Sequence, residues 1–186
     1  YHEHYNYWSL TSLVTFFKRF KAIIYKAEKI NTHGGSLRIY VKKNLKTKID
    51  KSVKSLLSEE EKFGIKKYQT YQNFAKKVYK IRDSVRKNIL KLKENGTKII
   101  GYGSPAKATT ALNFFGISDE IECIVEDNKL KQGKLLPGVK IPIVSKSDIK
   151  GKPDFALVLA WNFINEIKSK NVDLAHKFIS IKDLEN

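Results

Sequence analysis

Two short stretches hold residue types at spacings that could do chemistry. The chain opens Tyr1-His2-Glu3-His4-Tyr5, and later reads Gly101-Tyr102-Gly103-Ser104-Pro105-Ala106. In the first, an imidazole beside a carboxylate can be held in one tautomer and made more basic, which suits proton removal near neutral pH. The alternation of His2 and His4 also has the form of a zinc motif. A closed zinc site needs further ligands, however, and the two other histidines, His33 and His176, supply no convincing set. A polar loop entering a helix is the alternative reading of this cluster.

The second stretch is a GxGxxA sequence between a strand and a helix. The first glycine permits a sharp turn, the second lets the backbone approach a phosphate, and Ala106 lets the helix pack closely on the strand. Ser104 can cap the helix and Pro105 suits its first position, which leaves N–H groups aimed at an anion. A following strand ends in Glu126-Asp127, and Asp127 lies about where the ribose-binding acid of a dinucleotide fold is expected. A nicotinamide dinucleotide, NAD or NADP, is the ligand such a turn suggests. A bare strand-to-helix turn is the alternative, because Pro105 and Lys107 depart from the usual loop and no hydride-transfer constellation follows.

These residues need elements to hold them. Ser9 to Phe20 has apolar residues at helical spacing, with Ser9 as N-cap. Strands at 22–30 and 36–42 flank Asn31-Thr32-His33-Gly34-Gly35, a hairpin whose glycines permit a tight turn. A helix over 50–63 ends at Gly64. From Lys66 to Asn95 the residues Tyr68, Tyr71, Phe74, Val78, Ile81, Val85, Ile89 and Leu92 form one seam, which predicts a single long helix packing on both of its neighbours. Beyond it, strands at 98–102, 121–126, 155–160 and 178–181 alternate with helices at 105–115 and 163–169, and Pro142 reads as punctuation. This alternation predicts an α/β unit of Rossmann-like form, a mostly parallel sheet with flanking helices.

Composition narrows the class. With 186 residues, 41% apolar and 30% charged, the chain can bury one core or one core plus a remnant of a second. No apolar run reaches the roughly 18 to 20 residues of a membrane-spanning helix, so no membrane partner is expected. No methionine is present and the first ten residues lack the order of a secretion signal, so part of a longer, cytoplasmic protein is expected. The single Cys123 cannot form an internal disulfide, and it reads as inert core. The net charge of +17 divides unevenly: residues 1–97 hold 23 basic and 8 acidic side chains, and the remainder 13 and 11. Most of the basic residues are lysines without arginine and aromatic interleaving, which predicts a solvated face and no nucleic-acid partner.

The motifs Tyr1-His2-Glu3-His4, Tyr7-Trp8-Ser9-Leu10 and His33-Gly34-Gly35-Ser36-Leu37-Arg38 resemble the end of the donor domain in bacterial sugar C-methyltransferases dependent on S-adenosylmethionine. Gly101 to Lys107, with Asp127-Asn128, Lys131-Gln132-Gly133-Lys134, Pro137-Gly138, Ile141-Pro142-Ile143 and Trp161-Asn162, is similar to their C-terminal domain. The resemblance implies three parts: residues 1–44 as a helix-plus-hairpin remnant of a class I methyltransferase domain, 45–97 as a helical connector, and 98–186 as a Rossmann-like domain. It implies methylation of a carbon next to a ketone on a nucleotide-linked deoxysugar, through an enolate that attacks the sulfonium methyl. His4 is then the general base, Glu3 its orienting group and Tyr1 a hydrogen-bond donor near the substrate. His33, Arg38, Gly101, Gly103 and Lys107 are then substrate contacts. The family's donor-binding turn lies upstream of the Tyr-His-Glu-His motif. On that basis an upstream domain of the same polypeptide is the expected partner, the nucleotide-sugar is the expected substrate, and this stretch is expected to bind no cofactor and to be inactive alone.

Overall fold

The structure, a computed structural model, describes residues 5–185. The described residues divide into two compact units, residues 5–75 and 76–185.

In the N-terminal unit, helix α1 (Leu10–Arg19) begins where expected. The Ser9 hydroxyl accepts from Ser12 N, and the Ser12 hydroxyl accepts from Ser9 N, closing a capping box. Strands β1 (Ile23–Ile30) and β2 (Ser36–Lys42) pair antiparallel from Ile23 opposite Lys42 to Ile30 opposite Ser36, with an irregularity between Ile24 and Lys26. A single 3-10 turn, Thr32–Gly34, joins them, and Gly34 and Gly35 take φ of +86° and +123°. Helix α2 (Lys51–Phe63) is capped by Asp50, whose carboxylate accepts from Ser52 N, and ends at Gly64 in the left-handed conformation. Leu10, Ile24, Ala27 and Val53 are buried together, so one face of the hairpin lies against both helices.

Helix α3 (Tyr68–Glu94) runs as one element across the boundary between the units. Its seam is not uniformly covered. Val85 and Ile89 are fully buried in the second unit with Ile81 and Leu92 beside them, but Tyr68, Tyr71 and Phe74 are exposed. The expected packing along the whole seam therefore holds only for its second half.

The C-terminal unit is a five-stranded parallel sheet of β3 (Ile99–Tyr102), β4 (Ile124–Val125), β5 (Ile143–Val144), β6 (Phe155–Val158) and β7 (Lys177–Ser180). Its order is β5-β4-β3-β6-β7. Alternate residues face opposite layers, as the pleat requires. Ile99, Ile124, Leu157 and Ile179 pack on the side of α3 and of α4 (Ala106–Phe115). Ile100, Val125, Ala156 and Phe178 pack on the other side, with Ile167 of α5 (Ile164–Lys170) and with Leu174 and Ala175. This is the α/β arrangement expected from the alternating pattern, with three local corrections. The strand expected at 121–126 shrinks to two residues. A strand unforeseen at Ile143–Val144 extends the sheet. Helix α4 starts at Ala106 with Pro105 as its cap, not at Pro105.

Among the described residues no helix is long and apolar enough to cross a membrane, and no group of three or more His, Cys, Asp or Glu is placed to hold a metal ion. Cys123 is half-buried beside the second apolar layer, where burial and then the neighbouring Glu122 push its thiol pKa up.

Candidate functional site

The glycine turn is built differently from the way its motif suggests. Gly101 lies inside β3 and its N–H donates to Cys123 O. A Cβ there would meet Ile124 Cγ1 at 2.9 Å and Leu159 Cδ1 at 3.1 Å, so this glycine serves packing within the sheet layer. The turn begins at Gly103, whose φ of +82° favours glycine and whose Cβ would lie 3.1 Å from Ala160 Cβ.

The end of β4 closes this turn. Ser104 N and Ser104 Oγ both donate to Glu126 Oε2, at 2.9 and 2.6 Å. Asn128 N donates to Glu126 Oε1 at 3.1 Å, and Lys131 Nζ stands 3.7 Å from Oε2 while donating to Ser104 O. Burial pushes the Glu126 carboxyl up, but the hydrogen bonds from Ser104 and Asn128 and the Lys131 charge outweigh it, and the group sits below the ordinary carboxylate value. The Ser104 N–H that a dinucleotide phosphate would use is thus occupied by the protein's own anion. This geometry weighs against the dinucleotide reading.

Asp127, the next residue, is exposed. Tyr102 Oη donates to Asp127 Oδ2 at 2.8 Å and accepts from Asn171 Nδ2 at 3.1 Å. The Asn171 amide is itself oriented, since Nδ2 also donates to Ile167 O and Oδ1 accepts from Lys146 Nζ. Burial first, then the hydrogen bond to Asp127 and its charge, push the Tyr102 phenol up to about 12. A cleft of about 440 Å³ lies over these groups at the C-terminal ends of β3, β4 and β6, with Phe163 and Ile167 on its apolar side. Gly103 lines it, whereas Gly101 and Lys107 do not. Lys107 Nζ sits 4.6 Å from the centre of the Trp161 ring, a cation–π contact.

Of the remaining predicted residues, His33 and Arg38 belong to the other unit. Tyr1, Glu3 and His4 lie outside the described residues. His33 belongs to the 3-10 turn of the hairpin. Arg38, on β2 opposite Glu28, is 4.0 Å from its Oε2. The same oxygen accepts from Tyr40 Oη, and Glu28 is also paired with Lys26. The hairpin turn residues Asn31, Gly35 and Ser36 line a cleft of about 620 Å³ with Trp8, Leu56, Glu60 and Phe63. Here Glu60 of α2 accepts from Leu10 N at 2.6 Å and Thr11 N at 2.8 Å, holding the start of α1. No motif in the sequence marks Glu60, Tyr102 or Asn171 as site residues. Only Tyr102, between the two glycines at a strand end, stood where a local signal exists.

Fold and site together define a Rossmann-like α/β unit whose glycine turn is closed internally, preceded in the sequence by a helix-and-hairpin unit. Residues 31–180 match the C-methyltransferase C-terminal domain family, and the chain belongs to that family. It is 34% identical over 170 residues to C-methyltransferase NovU of Streptomyces niveus, an alignment that covers 90% of this chain and 40% of that protein. The chain thus spans about two fifths of the length of this curated relative.

Proposed function

We propose that this chain is the substrate-side part of an S-adenosylmethionine-dependent C-methyltransferase acting on a nucleotide-linked keto-deoxysugar. The observation that carries the reading is the family match over residues 31–180, joined to the similarity with a C-methyltransferase that extends well beyond the aligned region.

The glycine turn does not fit the methyl donor. At the glycine turn its carboxylate would meet Glu126, whose own oxygens already take the Ser104 donors. In this reading the donor is held by an upstream part of the same protein, and no step is assigned to it here. The residues of this chain act on the sugar. His4 removes the proton from the carbon next to the ketone, Glu3 holds the His4 imidazole in the basic tautomer, and Tyr1 donates a hydrogen bond near the substrate. His33 and Arg38 of the hairpin and Gly103 and Lys107 of the glycine-turn region serve as substrate contacts, with Gly101 supporting the turn from within the sheet.

The test joins this chain to an upstream donor-binding segment and supplies labelled S-adenosylmethionine with a thymidine-diphosphate keto-deoxysugar. Label should enter the sugar carbon, and His4→Ala should lower the rate by about 10²- to 10⁴-fold, the usual worth of a positioned base. The reading falls if no nucleotide-sugar is methylated, or if His4→Ala proceeds at the parental rate.

A further inference from the structure

The second half of α3 has two unlike faces. Val85 and Ile89 are fully buried in the C-terminal unit, with Ile81 and Leu92 packed beside them. At 3.6 residues per turn the opposite side carries Lys76, Tyr79, Lys80, Lys87, Leu90 and Lys91. These residues line two shallow clefts of about 490 and 580 Å³, which share Asp83 and Lys87 and so form one strip along the helix. No residue of this strip lines the cleft at the ends of the strands.

Two rows run along the strip. Tyr79 and Leu90, 52% and 39% exposed, stand three turns apart, roughly 16 Å along the axis. Phe114 of α4, 37% exposed, widens this apolar row, its ring centre 6.1 Å from that of Tyr79. Beside it lie Lys76, Lys80, Lys87 and Lys91, all exposed and none in an ion pair among the described residues. Residues 76–94 hold eight basic and two acidic side chains, and one of the acids, Asp83, is paired with Arg82. A concentrated positive field thus adjoins uncovered apolar side chains.

That combination decides among occupants. A second copy of the chain would set lysine against lysine, with Glu94 as the one carboxylate of the strip outside an ion pair among the described residues. A nucleic acid gains from stacking on ring faces, but Arg82 already lies over the Tyr79 and Phe114 rings, at 4.9 and 5.9 Å from their centres. The side of another helix suits both rows. Its apolar residues at helical spacing meet Tyr79, Leu90 and Phe114, and its carboxylates meet the lysines.

We infer that the outer face of α3 is a docking surface for an acidic amphipathic helix of a partner protein. The inference is independent of the proposed reaction, since it uses no residue assigned to the substrate.

The test is a nuclear magnetic resonance titration of the 186-residue chain with three synthetic helical peptides of equal length. The first carries leucines along one face and glutamates on the others. The second has glutamine in place of the leucines, and the third has lysine in place of the glutamates. The first should shift the amides of Tyr79, Ser84 and Leu90 saturably, and the other two should bind at least about tenfold more weakly. Lys80→Glu combined with Lys87→Glu should weaken the first peptide about tenfold or more, and Leu90→Ser severalfold. Spectra unchanged away from α3 report intact folding of each variant. A duplex RNA and vesicles of phosphatidylserine are added as competitors. The inference is overturned if the peptide without leucines binds as tightly as the first, if the double charge reversal leaves binding unchanged, or if no peptide saturates the shifts. RNA or vesicles displacing the first peptide at concentrations below its own would overturn it in favour of a nucleic acid or a membrane.

Discussion

Replacing Gly101 by alanine separates a packing role from a ligand-binding one. Gly101 does not share the left-handed backbone of Gly103, so a methyl group there brings no dihedral strain. What it brings is overlap. The added carbon would lie 2.9 Å from Ile124 Cγ1 and 3.1 Å from Leu159 Cδ1, against about 3.5 to 4.0 Å for an optimal carbon contact. Both neighbours are fully buried in the apolar layer between sheet and helices, so neither can swing into solvent. Overpacking of this kind costs about 1 to 3 kcal/mol. With a urea dependence of about 1 to 3 kcal/mol per molar, the unfolding midpoint should fall by roughly 1 M at unchanged slope. Gly133→Ala provides the contrast. Its φ is +75° with nothing within 4 Å, so only backbone strain of about 1 kcal/mol is expected. Urea titration followed by circular dichroism measures both variants. A Gly101→Ala protein as stable as the parent would refute the packing account, and one that kept its stability while losing nucleotide-sugar binding would return Gly101 to the site.

Two further outcomes follow from carboxylates that bind backbone donors. Glu60→Ala should destabilise the N-terminal unit by about 1 kcal/mol and speed hydrogen exchange at Leu10 and Thr11, whose N–H groups it accepts, while Glu60→Gln should lie between; unchanged exchange would contradict the assignment. Glu126 is held below its ordinary value of 4.5, so it stabilises the fold above that pH and loses its effect as pH falls through the lowered folded value. The stability gap between the parent and Glu126→Gln should therefore be full near neutrality and shrink on acidification below about pH 4.5, as read from denaturation midpoints across pH. A gap independent of pH would show that the charge of Glu126 is not what the turn uses.

The elements that announce themselves locally were legible. The Ser9 cap, the Asp50-to-Gly64 helix and the hairpin each rest on signals within a few residues, and the structure places them within a residue or two of the reading. Strand β5 was not legible because two residues carry no alternation, and Pro142, which reads as a break, contributes the carbonyl that accepts from Ile124 N. The glycine motif announced a turn correctly but misassigned its parts. Gly101 answers to side chains on β4 and after β6, and Ser104 answers to Glu126, partners 22 or more residues away that no local pattern encodes. Asn171 is bound to Tyr102 across 69 positions, and Glu60 to Leu10 across 50, so neither shows before the chain is folded.

The net charge illustrates the same distance between sequence and site. A total of +17 invites anionic partners, and a GxGxxA turn invites a phosphate in particular. Within the cleft neither invitation stands, because Lys131 and Lys170 are matched by Glu126 and Glu166 at short range. At physiological salt, lysines farther away than about 8 Å are largely screened. The local pairing therefore sets the charge an entering ligand would meet, and Asp127 lines the same space of about 440 Å³ without a salt bridge among the described residues. A family member whose position 126 lacked the carboxylate would free the Ser104 N–H and Lys131 together, turning the same turn back towards anions. The identity of this single side chain at the end of β4 thus carries more information about the ligand than the glycine motif or the total charge.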